Sequence, residues 1–112
     1  YNIIELENED YSARTLKNVQ YSDGTLILHK GEITGGTALT EEFCYLEKKA
    51  VLTINILDEF TVIRLNFNTW LETNIITILN IAGPRESEGQ IYKKAKDLLI
   101  RLLKDHVFDT NP

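Results

Sequence analysis

The sequence is poor in several features that mark particular classes of protein. Its 112 residues include no methionine, a single cysteine (Cys44) and no apolar run long enough to span a membrane. No basic-then-apolar signal peptide opens the chain. One cysteine cannot form a disulfide within the chain, so we expect Cys44 to be a buried, reduced thiol in a cytoplasmic protein.

The sequence also contains fewer basic than acidic residues. Twelve Lys and Arg face 17 Asp and Glu, which gives a net charge of −5 and an isoelectric point near 5.0. Broad binding to nucleic acid or to an anionic membrane needs a basic surface. We therefore expect neither nucleic acid nor a membrane among the partners.

The length of 112 residues predicts one domain that can bury a core without disulfides or metals. Apolar periodicity predicts strands and helices in alternation. We predict a brief strand within an irregular lead-in over 1–10, strands over 25–29, 51–57 and 75–81, and helices over 11–20, 38–49, the second half of 60–74, and a long C-terminal segment that follows a Ser87-x-x-Gln90 capping box. This order predicts an α/β three-layer sandwich with a mainly parallel sheet and right-handed crossovers.

A glycine-rich loop follows the first of the main strands. Gly35 and Gly36 lie between Thr34 and Thr37, directly before a predicted helix. A helix that starts at the end of a parallel strand directs free N–H groups and its positive dipole end at a ligand, so an anion is the expected occupant. The alternative is a plain strand-loop-helix connection with Thr37 as the N-cap. The loop matches neither the P-loop pattern nor GxGxxG.

A second loop, Ala82-Gly83-Pro84-Arg85, follows the strand predicted over 75–81. Parallel strands end at one edge of a sheet, so we expect this loop to meet the glycine-rich loop there. Arg85 suits bidentate binding of phosphate.

Other charged residues carry alternative interpretations. Glu42 either complements the helix dipole or serves a ligand as hydrogen-bond acceptor or base, and Arg14 is either a surface residue or a phosphate ligand. His29 and His106 have no Cys or acidic residue at ligand spacing, so we expect no metal site.

Three segments in this order resemble the putative molybdenum carrier family: SDGTLI from Ser22, TGGTALT from Thr34, and LNIAGPRES from Leu79. This is a bacterial branch of the Rossmann-like superfamily that includes the cytokinin-activating phosphoribohydrolases, and the resemblance covers about residues 11–103. It implies a Rossmann-like fold that binds a phosphorylated or nucleotide-like ligand, including molybdenum cofactor, at the strand ends. It also implies a homodimer.

The phosphoribohydrolase branch carries a PGGxGTxxE loop and an arginine on the preceding helix. By resemblance, Gly35, Gly36 and Glu42 fall on its first two glycines and its glutamate, and Arg14 lies where its arginine would. Three positions depart from the pattern, since Thr34, Ala38 and Leu39 replace the proline, the third glycine and the threonine. These departures weaken the expectation of hydrolase activity without removing a binding site.

Three functions therefore remain open. A binding module would hold its ligand through Asp23, Thr34, Gly35, Gly36, Thr37, Gly83 and Arg85. An enzyme that cleaves the N-glycosidic bond of a nucleoside monophosphate would use Glu42 and Arg14, and a partner-binding fragment would need no ligand. Family members carry an opening strand and Gly-rich loop that residues 1–112 lack. We therefore expect this chain to be the C-terminal two-thirds of a larger domain, truncated at its N-terminus.

Overall fold

A computed structural model describes residues 3–104 and His106, with side chains described from Ser12 onward. The described residues form α1 (Ile3–Tyr21), β1 (Gly24–His29), α2 (Gly35–Leu46), β2 (Ala50–Asn55), α3 (Phe60–Asn74), β3 (Leu79–Ala82), a 3-10 turn (Glu86–Glu88) and α4 (Gln90–Leu103). Within these residues, no helix is long and apolar enough to cross a membrane.

The three strands form one parallel sheet in the order β2-β1-β3. In the centre, Leu26 is in register with Leu52 of β2 and Ile81 of β3. The first five residues of β1 are all buried, which explains why this strand is a short apolar run without charge. The α/β Rossmann-like sandwich predicted from the sequence is confirmed.

The two faces of β1 contribute to different layers. Leu26 and Leu28 belong to the main apolar cluster, which also includes Phe67 of α3 and Leu98 of α4. Side chains alternate along a strand, so Thr25 and Ile27 point to the opposite face, where α1 and α2 pack together. All of these side chains are buried. The sheet is therefore covered on both sides.

Small residues let α2 lie close to the sheet. Gly36, Thr40 and Cys44 are spaced four apart, and both Thr40 and Cys44 are buried. Burial raises the pKa of the Cys44 thiol, as expected for an unreactive core residue. Leu46, the last residue of α2, does not belong to this packed face, because its side chain is 67% exposed.

The start of α2 also differs from the prediction. The helix begins at Gly35, with Thr34 rather than Thr37 at the N-cap. Gly35 has a φ of 58°, in the left-handed region that glycine enters at low cost, whereas Thr34 is extended. The glycine pair therefore forms the entry to the helix.

The lead-in predicted over residues 1–10 is wrong, because residues 3–21 form one continuous helix. No glycine or proline, the residues that most often interrupt a helix, occurs in this segment. The short helix predicted over 11–20 is therefore the second half of α1.

Two boundaries around β3 differ as well. All of Phe60–Asn74 is helical because Ile63, Phe67 and Leu71, at spacings of four, are buried together. The strand starts at Leu79 rather than at residue 75, since Ile75 ends α3 with a φ of 52°.

The predicted Ser87-x-x-Gln90 capping box is not formed. Residues 86–88 make a 3-10 turn, and α4 begins at Gln90. The carboxylate of Glu88 instead accepts a hydrogen bond from the backbone N–H of Arg85 at 2.7 Å.

We predict that Gly24→Ala destabilises the fold. A Cβ at Gly24 would lie 2.6 Å from Cδ1 of Ile76 and 3.0 Å from the Trp70 ring, whereas a Cβ at Gly83 would lie 3.5 Å from its nearest neighbour, Cβ of Leu28. Overpacking of this kind costs about 1–3 kcal/mol of unfolding free energy. Urea denaturation of Gly24→Ala, with Gly83→Ala as the control, measures this cost. Equal losses of unfolding free energy in the two variants would contradict the close contact of Gly24 with Ile76 and Trp70.

Candidate functional site

A cavity of about 390 Å³ lies at the carboxyl ends of β1 and β3. The loop after β1 and the start of α2 line one wall, and the loop after β3 lines the other. The first wall comprises His29, Lys30, Glu32, Thr34, Gly36 and Thr37, and the second comprises Gly83, Pro84, Arg85 and Glu88. Thr15 and Asn18 of α1 also contribute. The two loops singled out from the sequence therefore meet at one cavity.

The strand order explains why a cavity forms there. The chain leaves β1 through α2 toward β2, while β3 lies on the other side of β1 and continues toward α4 on the opposite face. The loops that leave β1 and β3 therefore diverge, and they open a crevice between them at the carboxyl edge. This is the position at which open α/β sheets bind ligands.

The N-terminus of α2 opens onto the cavity. Thr34 occupies the N-cap, yet its side chain makes no capping hydrogen bond. The Thr37 hydroxyl donates to the Thr34 carbonyl at 2.8 Å, so it is not used to cap the first helical N–H groups either. The first turn of a helix carries N–H groups without intrahelical partners and a partial positive charge. This wall is suited to an anion.

The opposite wall is held in a defined shape. The Glu88 carboxylate accepts from the Arg85 N–H, and the Glu88 N–H donates to the Arg85 carbonyl at 2.8 Å. These two bonds close the turn that presents the Arg85 side chain, which is exposed and lines the cavity. A guanidinium at a fixed corner is suited to pair with phosphate or carboxylate oxygens.

The end of β1 and the residues after it contribute polar groups that the sequence analysis did not assign to a ligand site. The Nδ1 atom of His29 lies 2.7 Å from the Gly31 carbonyl oxygen, so Nδ1 carries the proton of this hydrogen bond. Lys30 and Glu32 follow it along the cavity wall. Their position at the end of a parallel strand is the sequence feature that could have identified them as residues of the site. In the described residues, no group of three or more His, Cys, Asp or Glu is placed to hold a metal ion.

Comparison with known proteins identifies the family. The profile of the family described as "Circularly permutated YpsA SLOG family" matches residues 1–103. The chain belongs to this family. No curated protein matches this SLOG family member.

A solved structure agrees with this assignment. The SLOG family member shares 43% sequence identity, with a TM-score of 0.76, with a crystal structure named "Putative molybdenum carrier protein" from Syntrophus aciditrophicus SB. The match covers 83% of the present chain and 60% of that chain, so the present chain spans less than two-thirds of that protein. The resemblance to the molybdenum carrier family is therefore confirmed.

The structure brings most of the proposed ligand residues of this SLOG family member together. Thr34, Gly36 and Thr37 line one side of the cavity, and Gly83 and Arg85 line the other. Gly35 lies in the same turn as the first group without lining the cavity itself.

Asp23 lies elsewhere. It precedes β1 and is therefore at the amino edge of the sheet, opposite the cavity. Its carboxylate accepts hydrogen bonds from the N–H groups of Ile78 at 2.7 Å and Thr77 at 2.9 Å. These bonds, the one from Ile78 first, lower the pKa of Asp23 below its usual value of 3.8. Asp23 thus stabilises the segment that precedes β3, and it does not lie near the other candidate ligand residues.

Glu42 and Arg14 also lie outside the cavity lining. Glu42 is exposed on α2, and Arg14 is exposed on α1. Arg14 is one helical turn from Asn18, which does line the cavity, so it lies beside the site on that helix face. The structure does not bring the proposed catalytic pair into the cavity.

We predict that Asp23 stabilises the fold in a pH-dependent manner. Because the folded-state pKa is lowered, its stabilisation is present above about pH 3.8, the usual value, and is lost as the pH falls through the folded-state pKa. Asp23→Ala should lower the unfolding free energy at pH 7, and its difference from the unmodified chain should shrink as the pH falls below about 3.8.

Urea denaturation across this pH range measures the effect. Asp58→Ala, which removes another exposed loop aspartate, is the matched control and should change stability little. A difference for Asp23→Ala that stays constant down to pH 3 would contradict the role of the charged carboxylate.

Proposed function

We propose that this molybdenum-carrier-like protein binds a small phosphorylated, nucleotide-like ligand in the cavity. The phosphate would lie against the N-terminus of α2, with Arg85 pairing from the opposite wall. The observation that carries the proposal is the convergence of the helix start, which the Thr34 side chain does not cap, and this arginine on one cavity. Backbone amides and a guanidinium from two directions are a favourable arrangement for phosphate oxygens.

The charges and size of the cavity support the same ligand class. Lys30 joins Arg85 as a second cation. The carboxylates of Glu32 and Glu88 also line the cavity, of which that of Glu88 is already bonded to a backbone N–H and that of Glu32 is exposed to solvent. A volume of about 390 Å³ falls within the usual range of about 300–1,000 Å³ for small-molecule sites. A phosphate with an attached sugar or ring system is of suitable size.

Molybdenum cofactor is one member of this ligand class. The name of the solved relative suggests it, and the described residues fit a phosphate-bearing end of such a molecule. In the described part of the chain, no cluster of His, Cys, Asp and Glu is placed to bind a metal. Recognition would therefore act through the phosphate and the organic part of the cofactor.

Binding is preferred to hydrolysis of an N-glycosidic bond. Such an enzyme would need Glu42 and Arg14 near the ligand, and neither side chain lines the cavity. The proposal concerns this site alone, since the chain spans 60% of the length of its solved relative.

Thermal denaturation with inorganic phosphate, AMP, ADP-ribose, molybdate and pterin phosphates tests the proposal. A ligand at 100 times its dissociation constant should stabilise the fold by about 2.7 kcal/mol. We expect at least one phosphorylated compound to raise the melting temperature. Arg85→Ala should weaken its binding about tenfold or more, because a charged hydrogen-bond partner is lost.

Arg64→Ala is the matched control, since Arg64 is an exposed arginine of α3 that does not line the cavity. It should leave the affinity unchanged. No stabilisation by any of these compounds would contradict the proposal and favour a partner-binding fragment without a ligand. Equal losses in the two arginine variants would contradict the assignment of Arg85.

A further inference from the structure

The floor of the cavity carries an asparagine whose orientation is fixed from below. Asn80 of β3 is in register with Thr25 of β1 and lines the cavity. Its side-chain Nδ2 donates a hydrogen bond to the Thr25 hydroxyl oxygen at 3.2 Å. The carboxamide is therefore tied to the central strand.

Thr25 receives this bond away from solvent. Its side chain is fully buried, and its hydroxyl oxygen has lone pairs that accept the Nδ2 proton of Asn80. The nitrogen end of the Asn80 carboxamide therefore faces Thr25, and the oxygen end faces away from it.

The side-chain oxygen of Asn80 faces the cavity. Within the part of the chain that the structure describes, every buried polar side-chain atom has a hydrogen-bond partner. An oxygen without a protein partner is therefore open to the cavity rather than enclosed. The neighbouring floor residues Thr15, Asn18 and Thr40 are polar and uncharged, whereas the cations Lys30 and Arg85 lie along the loops. The floor thus differs in chemistry from the phosphate-binding walls.

We propose that Asn80 selects ligands with a hydrogen-bond donor next to the phosphate, such as a ribose hydroxyl or an amino group, through its fixed carboxamide oxygen. This inference rests on the proposed function and names the chemistry that the site requires beyond the anion. Thr25 acts as the positioning residue that prevents the carboxamide from turning over. A site arranged to accept a bond rejects an analogue without the donor, because the acceptor is left unpaired.

Isothermal titration with inorganic phosphate, AMP, 2′-deoxy-AMP, 3′-deoxy-AMP and inosine monophosphate tests the inference. The two deoxy compounds each lack one hydroxyl donor of AMP, and inosine monophosphate has a carbonyl oxygen in place of the amino group of AMP, while its N1 becomes an N–H donor. The unmodified chain should bind at least one of them about tenfold more weakly than AMP. In Asn80→Ala this difference should disappear through weaker binding of AMP, while the affinity for inorganic phosphate is retained.

Thr25→Val keeps the shape of the buried side chain but removes the acceptor of the Asn80 bond. The carboxamide is then free to turn, so discrimination between AMP and the analogue should fall although Asn80 is still present. Asn66→Ala, which removes an exposed asparagine of α3, is the matched control and should preserve discrimination. Circular dichroism of each variant checks that it is folded.

The outcomes separate the two proposals. If no phosphorylated compound of the panel binds the unmodified chain, the proposed function fails. If AMP binds but is not preferred over any of the three analogues, or if Asn80→Ala leaves the ratio of AMP to analogue affinities unchanged, the assignment of Asn80 is overturned. Unchanged discrimination in folded Thr25→Val would overturn the positioning role of Thr25.

Discussion

Parallel pairing of β1 with β2 on one side and with β3 on the other is the interaction on which the rest of the structure depends. It places an uncharged strand in the middle of the sheet, where Leu26 and Leu28 contribute to one layer of the core and Ile27 to the other. It also fixes which loops become neighbours. Since β1 and β3 end at the same edge, the turn at Gly35 and the corner at Arg85 face each other across a cavity.

The same pairing places groups that stabilise the fold at one edge of the sheet and groups that line the cavity at the other. At the amino edge, Asp23 holds the N–H groups of Thr77 and Ile78, and Gly24 leaves room for the Trp70 ring. At the carboxyl edge, the polar groups face a cavity. Between the two edges, Thr25 connects the core to the cavity floor through Asn80. A ligand at one edge would therefore rest on groups positioned by the interior of the sheet.

The sequence was informative where one local signal dominated. The apolar run at 25–29 and the glycine pair before α2 identified the central strand and the loop after it, and parallel topology then brought Arg85 to the same site. Strand ends placed the loops correctly because all parallel strands share one direction. Residues 3–10 were not predicted to be helical, because the irregular lead-in and the helix over 11–20 were treated as separate segments, whereas residues 3–21 form one continuous helix.

The other differences between the residues proposed from the sequence and the residues that line the cavity also have physical reasons. Asp23 was grouped with the ligand residues by its place in a motif, although a residue before a parallel strand lies at the opposite edge. Glu42 was placed by analogy with a loop pattern, but the helical phase of α2 directs Thr40 and Cys44 to the interior and leaves Glu42 exposed. Asn80 was missed because it lies within a strand, and its role depends on a hydrogen bond to Thr25, 55 residues away.

The most direct test of the account is an amide NMR titration of the chain with AMP. If the two loops form one anion site, the resonances of Gly36 and Thr37 should shift together with those of Gly83 and Arg85, at a single dissociation constant. Thr77 and Ile78, at the far edge of the sheet, should not shift. Shifts confined to one loop, or larger shifts at the far edge, would contradict the claim that the ends of β1 and β3 build a common binding site.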